Sequence, residues 1–183
     1  MKTSKLTTAI QFARNLRTTG ALYETSRRVE LEICQKITND PNQTYVEFGM
    51  GHGNITREIL DRISPSSQLY AFEVNSEFCQ HVEEHVDDDR LIIINDGAEN
   101  ISQHVKTKVD GIISSIPFTL FPAQKRRSIL AIAKDQLKPE KFFSQVLYSS
   151  ILTRLLTEFF PDTKVIKLNG IPVEHVHHCR NNG

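Results

Sequence analysis

From Thr44 onward the chain alternates short apolar runs with stretches whose apolar residues return every three or four positions. "TYVEFG", "QLYAFEV", "RLIIIND", "VDGIISSI" and "KFFSQVLY" have the length and the β-branched and aromatic content of buried strands. Between them "NITREILDRI", "SEFCQHVEEHV", "AENISQHV", "PAQKRRSILAIAKDQL" and "ILTRLLTEFF" carry helical spacing. Ser64-Pro65 stops the first of these helices, Ser76 begins the second, and Lys138-Pro139 leads from the fourth into the next strand. Regular β-α alternation with strands this apolar predicts a mostly parallel sheet covered by helices on both faces. "TKVIKLN" and "VEHVHHCR" close the pattern with no helix between them, which predicts an antiparallel pair at one edge. No repeat, low-complexity stretch or linker interrupts the chain, so residues 1–183 read as a single domain.

The N-terminal part breaks the alternation. "SRRVELEICQKI" predicts a helix capped by Ser26 with Val29, Ile33 and Ile37 on one face. Further upstream Leu6, Ile10, Ala13 and Leu16 fall at helical spacing with Phe12 at the flank. Lys2, Lys5, Arg14, Arg17, Arg27 and Arg28 meet only one acid, Glu24, across that span, so residues 1–38 read as a basic helical arm. Such an arm can lie on an anionic membrane, or pack on the domain with its charges in water.

Composition narrows the setting. Lys+Arg and Asp+Glu are equal at 22 each, which excludes the overall basic field of a dedicated nucleic-acid binder. Cys34, Cys79 and Cys179 are odd in number and lack C-x-x-C spacing, which fits a reducing compartment. With no apolar run as long as a membrane span and polar residues directly after Met1, the expectation is a cytoplasmic protein, peripheral at most on the inner face of the membrane.

The chemistry concentrates in "YVEFGMGHGN", where Gly49, Gly51 and Gly53 alternate behind the first strand. Glycines so close together suggest positive φ angles or a ligand against the main chain. The dinucleotide fingerprint G-x-G-x-x-G is not met, because Asn54 stands where its last glycine would fall. Glu47 adds a carboxylate at the strand's end, which would repel a phosphate and attract a cation such as the ammonium and sulfonium of S-adenosyl-L-methionine. A glycine-rich turn with no ligand is the other reading. Glu73 ends the second strand, where a carboxylate can take both hydroxyls of a ribose. Asp96 ends the third, where an adenine would lie, with Gly97 and Ala98 leaving room for it.

This order of motifs resembles the class I S-adenosylmethionine-dependent methyltransferases over nearly the entire chain. The resemblance implies a Rossmann-like α/β fold with a seven-stranded sheet whose last strand is antiparallel. It also implies Gly49 to Gly53 around the donor's methionine moiety, Glu73 on its ribose and Asp96 near its adenine. The fourth strand ends in "SSIPF", and a proline followed by an aromatic at this point is where amine-methylating members of the superfamily hold their acceptor. Ser114, Ser115 and the Ile116 carbonyl would then accept an amine's hydrogens, and Phe118 would offer its face to the amine.

Two amine-methylating families are similar here. The rRNA adenine dimethyltransferases carry N-[IL]-P-[YF], where this chain has Ser115 in place of the Asn. Bacterial phospholipid N-methyltransferases are more similar, through "LRTTGALYETSRRVELEI", "SSIPF" and "LNGIPVEHVHHCR". Glu24-Thr25 in place of Pro-Ser, Lys138-Pro139-Glu140-Lys141 in place of a glycine-rich turn, and Val173-Glu174 within the closing motif depart from that pattern. The resemblance implies a phospholipid amine as acceptor, with RNA as the alternative, and a catalytically degenerate binding module as a further one. In "PFTLFPAQKRR", Phe118, Leu120 and Phe121 adjoin Lys125, Arg126 and Arg127, a composition that suits a lipid interface and also RNA. His175, His177 and Cys179 would share one strand face, but with no other ligand cluster nearby the expectation is ordinary edge-strand residues and no metal.

Overall fold

A computed structural model describes residues 25–170 and 173–183. The basic segment around Leu6, Ile10, Ala13 and Leu16 lies outside the described residues. Helix α1 (Arg27–Ile33) is followed by β1 (Thr44–Phe48), α2 (Asn54–Leu60), β2 (Gln68–Phe72), α3 (Ser76–His85) and β3 (Leu91–Ile94). A short 3₁₀ turn (Ala98–Asn100) runs into α4 (Ile101–His104), then β4 (Val109–Ser114), a 3₁₀ turn (Phe118–Leu120) and α5 (Ala123–Gln136). The chain closes with β5 (Leu137–Leu147), a 3₁₀ turn (Ser150–Leu152), α6 (Thr153–Phe159), β6 (Thr163–Leu168) and β7 (Glu174–Arg180).

These strands form one seven-stranded sheet in the order β3-β2-β1-β4-β5-β7-β6. β1 to β5 are parallel, and β7 runs antiparallel to both of its neighbours. The expected antiparallel pair is present, but β7 inserts between β5 and β6 instead of being added outside them. Burial explains the insertion. Val176 and Cys179 of β7 are fully or nearly fully buried, whereas every position of β6 is exposed or half-buried, which suits an edge.

Both faces are covered. On one, Ile129, Leu130 and Ala133 of α5 and Leu156 of α6 pack with Phe48, Phe72, Ile112 and Phe143. On the other, Val29 and Ile33 of α1 and Ile55 and Ile59 of α2 pack with Tyr45, Ile113, Val146 and Val176. Burying side chains of this size from each face stabilises the sheet by roughly 1.5–3 kcal/mol apiece. The later part of the 1–38 segment is therefore not an appendage: α1 is part of the domain's cover. Its cap residue Ser26 accepts a hydrogen bond from Val29 N and donates from Oγ to Glu174 at 2.9 Å, joining the helix start to β7.

Helix α3 begins at Ser76, as the sequence predicts, and its cap is Asn75, whose side chain accepts from Glu77 N at 2.9 Å. One local expectation changes. Lys138-Pro139 lies within β5, not ahead of it. The register with β4 jumps there from Val109–Leu137 to Gly111–Phe142, so Pro139, which has no N–H to give, sits in the stretch that skips the ladder. Lys138 and Lys141 close the irregularity on the buried Asp110 at 2.7 and 3.3 Å.

Candidate active site

The carboxyl ends of β1, β2 and β4 meet at the glycine turn. Gly49, Gly51 and Gly53 all have positive φ, at 82°, 54° and 82°. Gly49 N and Met50 N both donate to Phe72 O, at 2.9 and 3.2 Å, which ties the turn to the end of β2. A Cβ on Gly49 would meet Ile116 Cγ2 at 2.8 Å, and one on Gly53 would meet Val82 Cγ2 at 3.0 Å. A Cβ on Gly51 would meet nothing within 4 Å. The turn is thus packed against protein at its two ends and bare in the middle, as a ligand lying flat on the main chain requires.

Glu73 stands beside the bare backbone. Its Oε2 accepts from Gly51 N at 3.1 Å and its Oε1 from Asn75 N at 2.9 Å. A carboxylate has about four lone-pair positions, so capacity remains for a ligand's hydroxyls. Burial holds Glu73 above the usual carboxylate range, against the opposing pull of the Asn75 and Gly51 amides. The bare Gly51 and the adjoining Glu73 fit the nucleoside-bearing donor expected from the sequence.

Glu47 is not at the mouth of this site. It is 0% exposed and sits beneath the turn, where Thr56 Oγ1 of α2 donates to its Oε2 at 2.7 Å and its Oε1 has no partner. Direct contact with a donor's charged tail is therefore corrected to support from below. The reason is strand parity: Glu47 pairs with Ile113 and shares the face covered by α2. Burial pushes its carboxyl up to about 8, with the Thr56 hydrogen bond opposing the rise and the Glu73 charge adding to it. Because the ordinary value is 4.5, the folded state holds this proton more tightly than the unfolded chain. The resulting stability is complete below the ordinary value and is lost as pH rises through about 8, a change of a few kcal/mol. Glu47→Gln keeps an oxygen for Thr56, and its thermal midpoint is expected to fall much less than that of the wild type between about pH 5 and 9. Parallel declines in the two proteins would remove Glu47 as the cause.

Asp96 is committed to its own turn. Oδ1 accepts from Gly97 N at 2.7 Å and Asn100 Nδ2 at 2.8 Å, and Oδ2 lies 2.8 Å from His104 Nε2. Burial acts to raise its carboxyl, but the hydrogen bonds from His104, Asn100 and Gly97 outweigh it and hold the group below its usual range. The sequence places Ala98 beside open space for an adenine, but its methyl belongs to the core packed around Ile101. Any contact with a base from this residue would come from its main chain.

The turn after β4 is adjacent, because β4 pairs with β1 and Ser115 Oγ donates to Gly49 O at 2.7 Å. Three of the expected acceptor contacts are corrected here. The Ile116 carbonyl already accepts from Phe118 N at 2.8 Å and Gln145 Nε2 at 3.1 Å, which fills both lone pairs. Phe118 is 2% exposed, and its ring lies edge-on to Phe121 at 6.2 Å within the core. Ser114 is fully buried on the α5 face, and its Oγ has no partner. Ser115, half-buried and with its hydroxyl proton spent on Gly49, remains free to accept from an amine N–H.

Register brings together a row that local sequence could not. Ser114 of β4 pairs with Gln145 of β5, and Gln145 pairs with His177 of β7, so all three share the α5 face. Gln145, which sequence reasoning missed, holds the turn after β4 through Ile116. Its signal was a polar Ser-Gln pair inside an otherwise apolar strand. His177 lies 2.8 Å from Thr153 Oγ1 through Nε2, and burial holds its imidazole below the usual range. His175, His177 and Cys179 do share a face, with Cys179 in the core, and no group of three or more potential metal ligands is assembled among the described residues.

The methyltransferase domain family matches residues 46–140, from within β1 to the first part of β5. An ornithine lipid N-methyltransferase of Singulisphaera acidiphila is 25% identical over 142 residues, covering 74% of this chain and 74% of that protein. A ribosomal RNA small subunit methyltransferase H of Christiangramia forsetii is 30% identical over 77 residues, which is 40% of this chain and 24% of that protein. Among solved structures, a precorrin-6y C5,15-methyltransferase of Geobacter metallireducens shares the fold with a TM-score of 0.70 at 11% identity, over 87% of this chain and 94% of that one. A structure described as a methyltransferase of Streptococcus mutans in complex with SAH gives 0.67 at 15% identity, over 87% and 99%.

Proposed function

Because this chain belongs to the methyltransferase domain family and is a class I S-adenosylmethionine-dependent methyltransferase, we propose that it methylates the amine headgroup of a membrane lipid such as phosphatidylethanolamine. The observation that carries this reading is where the exposed apolar side chains lie. Val74, Leu120, Tyr148 and Ile151 all sit in loops after β2, β4 and β5, around the carboxyl edge of the sheet, with Ile151 74% exposed. Leu31 and Val165 are the other large exposed ones among the described residues. Lys125, Arg126 and Arg127 follow Leu120 closely in the chain, near the start of α5. Apolar side chains backed by cations suit contact with a lipid surface, and the basic sequence of residues 1–38 adds to it. The relative from Singulisphaera acidiphila carries a lipid amine acceptor in its name.

In this reading Gly49 to Gly53 and Glu73 hold S-adenosylmethionine, which supplies an electrophilic methyl group when bound. The chain's own work is alignment. Ser115 accepts from the incoming amine, and Gln145 keeps the Ile116 turn in place beside Gly49. No lone pair is available on a protonated amine, so the rate on lipid is expected to rise with pH until the bound amine is largely deprotonated. With radiolabelled donor saturating, the protein should label vesicles containing phosphatidylethanolamine and leave unmodified rRNA unlabelled. Robust labelling of RNA with none of lipid would install an adenine methylase in its place.

A further inference from the structure

The first turn of α5 carries Lys125, Arg126 and Arg127, and the fold treats them differently. Lys125 turns to one side, pairing with Glu99 at 2.8 Å and lying 5.1 Å from the centre of the Phe121 ring. Arg127 turns to the other, pairing with Glu158 of α6 at 2.5 Å and lying 5.8 Å from the Phe159 ring. Arg126 falls between them, at helical spacing with Ile129, Leu130 and Ala133, which are fully buried against the sheet. It is therefore the inward-facing residue of that turn. α5 is the next helix after β4, reached through the short connection that holds the Phe118–Leu120 turn, so its start lies at the carboxyl end of the sheet, and helical side chains lean further toward their own N-terminus.

The Arg126 main chain donates to Pro122 O at 3.1 Å, but its guanidinium has no hydrogen bond or ion pair among the described residues, and its Nε is shielded from solvent with nothing to donate to. A guanidinium half withdrawn from water and left unpaired is costly, and its neighbours show that acids are at hand on either side. On the same face the Ser114 Oγ and Gln145 Oε1 are also buried without partners. Leu120 lies in the loop leading into α5, and Tyr148 and Ile151 lie beyond the end of β5.

We propose that Arg126 is a specificity-determining residue that holds an anion tethered to the acceptor amine, a phosphate or a carboxylate. The inference rests on the lipid-amine reading and deepens it: the acceptor is an amphiphile carrying its amine and its anion a few bonds apart. Apolar tails lie at Leu120 and Ile151, the anion is forked by the Arg126 guanidinium, and the amine reaches Ser115. Planar two-point recognition of a phosphate or carboxylate is the geometry arginine supplies and lysine does not.

The test compares wild type, Arg126→Gln and Arg126→Lys on vesicles doped with phosphatidylethanolamine, with an ornithine lipid, or with a long-chain alkylamine that has no anion. Donor affinity, measured by calorimetry, should be unchanged in both variants, which also reports that they fold. Arg126→Gln should raise KM roughly 10–100-fold for whichever anion-bearing amine the wild type prefers, with Arg126→Lys intermediate. Turnover of the alkylamine should be the same in all three proteins. Phosphatidylethanolamine and the ornithine lipid distinguish a phosphate from a carboxylate as the anion held. If the wild type methylates lipid and Arg126→Gln leaves KM unchanged, or weakens the alkylamine equally, the Arg126 assignment is overturned while the lipid reading stands. If the wild type methylates RNA and none of the amphiphiles, both are overturned.

Discussion

Gly51→Asn is expected to eliminate measurable binding of S-adenosylmethionine, a loss of roughly 100-fold or more, while leaving the sheet folded. The backbone at Gly51 is left-handed, with φ 54°, and asparagine is the residue besides glycine that enters that region most readily. Strain on folding is therefore held to about 1 kcal/mol, a shift of a few degrees in thermal midpoint. Nothing in the protein obstructs the new side chain, since no atom lies within 4 Å of a Cβ placed there. What it fills is the space along the bare main chain, where the donor is expected to lie. Gly51→Val should have the same effect on binding with a larger cost in stability, because a β-branched residue fits a positive φ poorly. Calorimetry with the donor and thermal unfolding separate the two effects. Wild-type affinity in Gly51→Asn would show that the donor does not lie against this turn.

The neighbouring glycine would not serve. At Gly49 a Cβ collides with Ile116 Cγ2 at 2.8 Å and the backbone also has a φ of 82°, so Gly49→Ala perturbs the turn after β4 and the fold together. The difference between these two positions is invisible in "FGMGHG", where the glycines look alike. It follows from Ser115 and Ile116, which are remote in sequence and arrive through the pairing of β4 with β1.

The same distinction separates what could be read in the sequence from what could not. Elements followed from period: apolar runs made strands, and helical spacing made helices, with ends displaced by a few residues. The glycine turn and Glu73 were legible because their chemistry is local to a strand end. Glu47 was also recognised as a strand-end acid, but which face it serves depends on α2 covering that side of the sheet. The Ile116 carbonyl looked available because Gln145 lies far along the chain, and register between strands is not written in either strand alone. The place of β7 was hidden for the same reason. An antiparallel pair is signalled by the missing helix, but insertion between β5 and β6 depends on which strand is apolar enough to be covered on both sides.

Phe118→Ala is expected to cost about 3–5 kcal/mol of stability, the range for truncating a buried aromatic and leaving a cavity. In sequence Phe118 follows a proline in an acceptor-like motif, and its ring was expected to face the incoming amine. The 3₁₀ turn over Phe118–Leu120 reverses that orientation, sending Phe118 into the core and leaving Leu120 exposed. Pro117 contributes by fixing its own φ at −77°, and Phe121 N returns to Phe118 O at 3.1 Å to close the turn. Phe121 is only partly buried and should be far cheaper to truncate, so Phe121→Ala is the informative partner variant. Urea unfolding should place the Phe118→Ala midpoint well below that of Phe121→Ala, with Phe118→Leu recovering much of the loss because it refills most of the volume. Donor affinity, extrapolated to conditions where the variant is folded, should stay near wild type because Phe118 does not touch the glycine turn's open side. Should Phe118→Ala unfold within about 1 kcal/mol of wild type and yet lose lipid turnover, the ring would belong to the acceptor and not to the core.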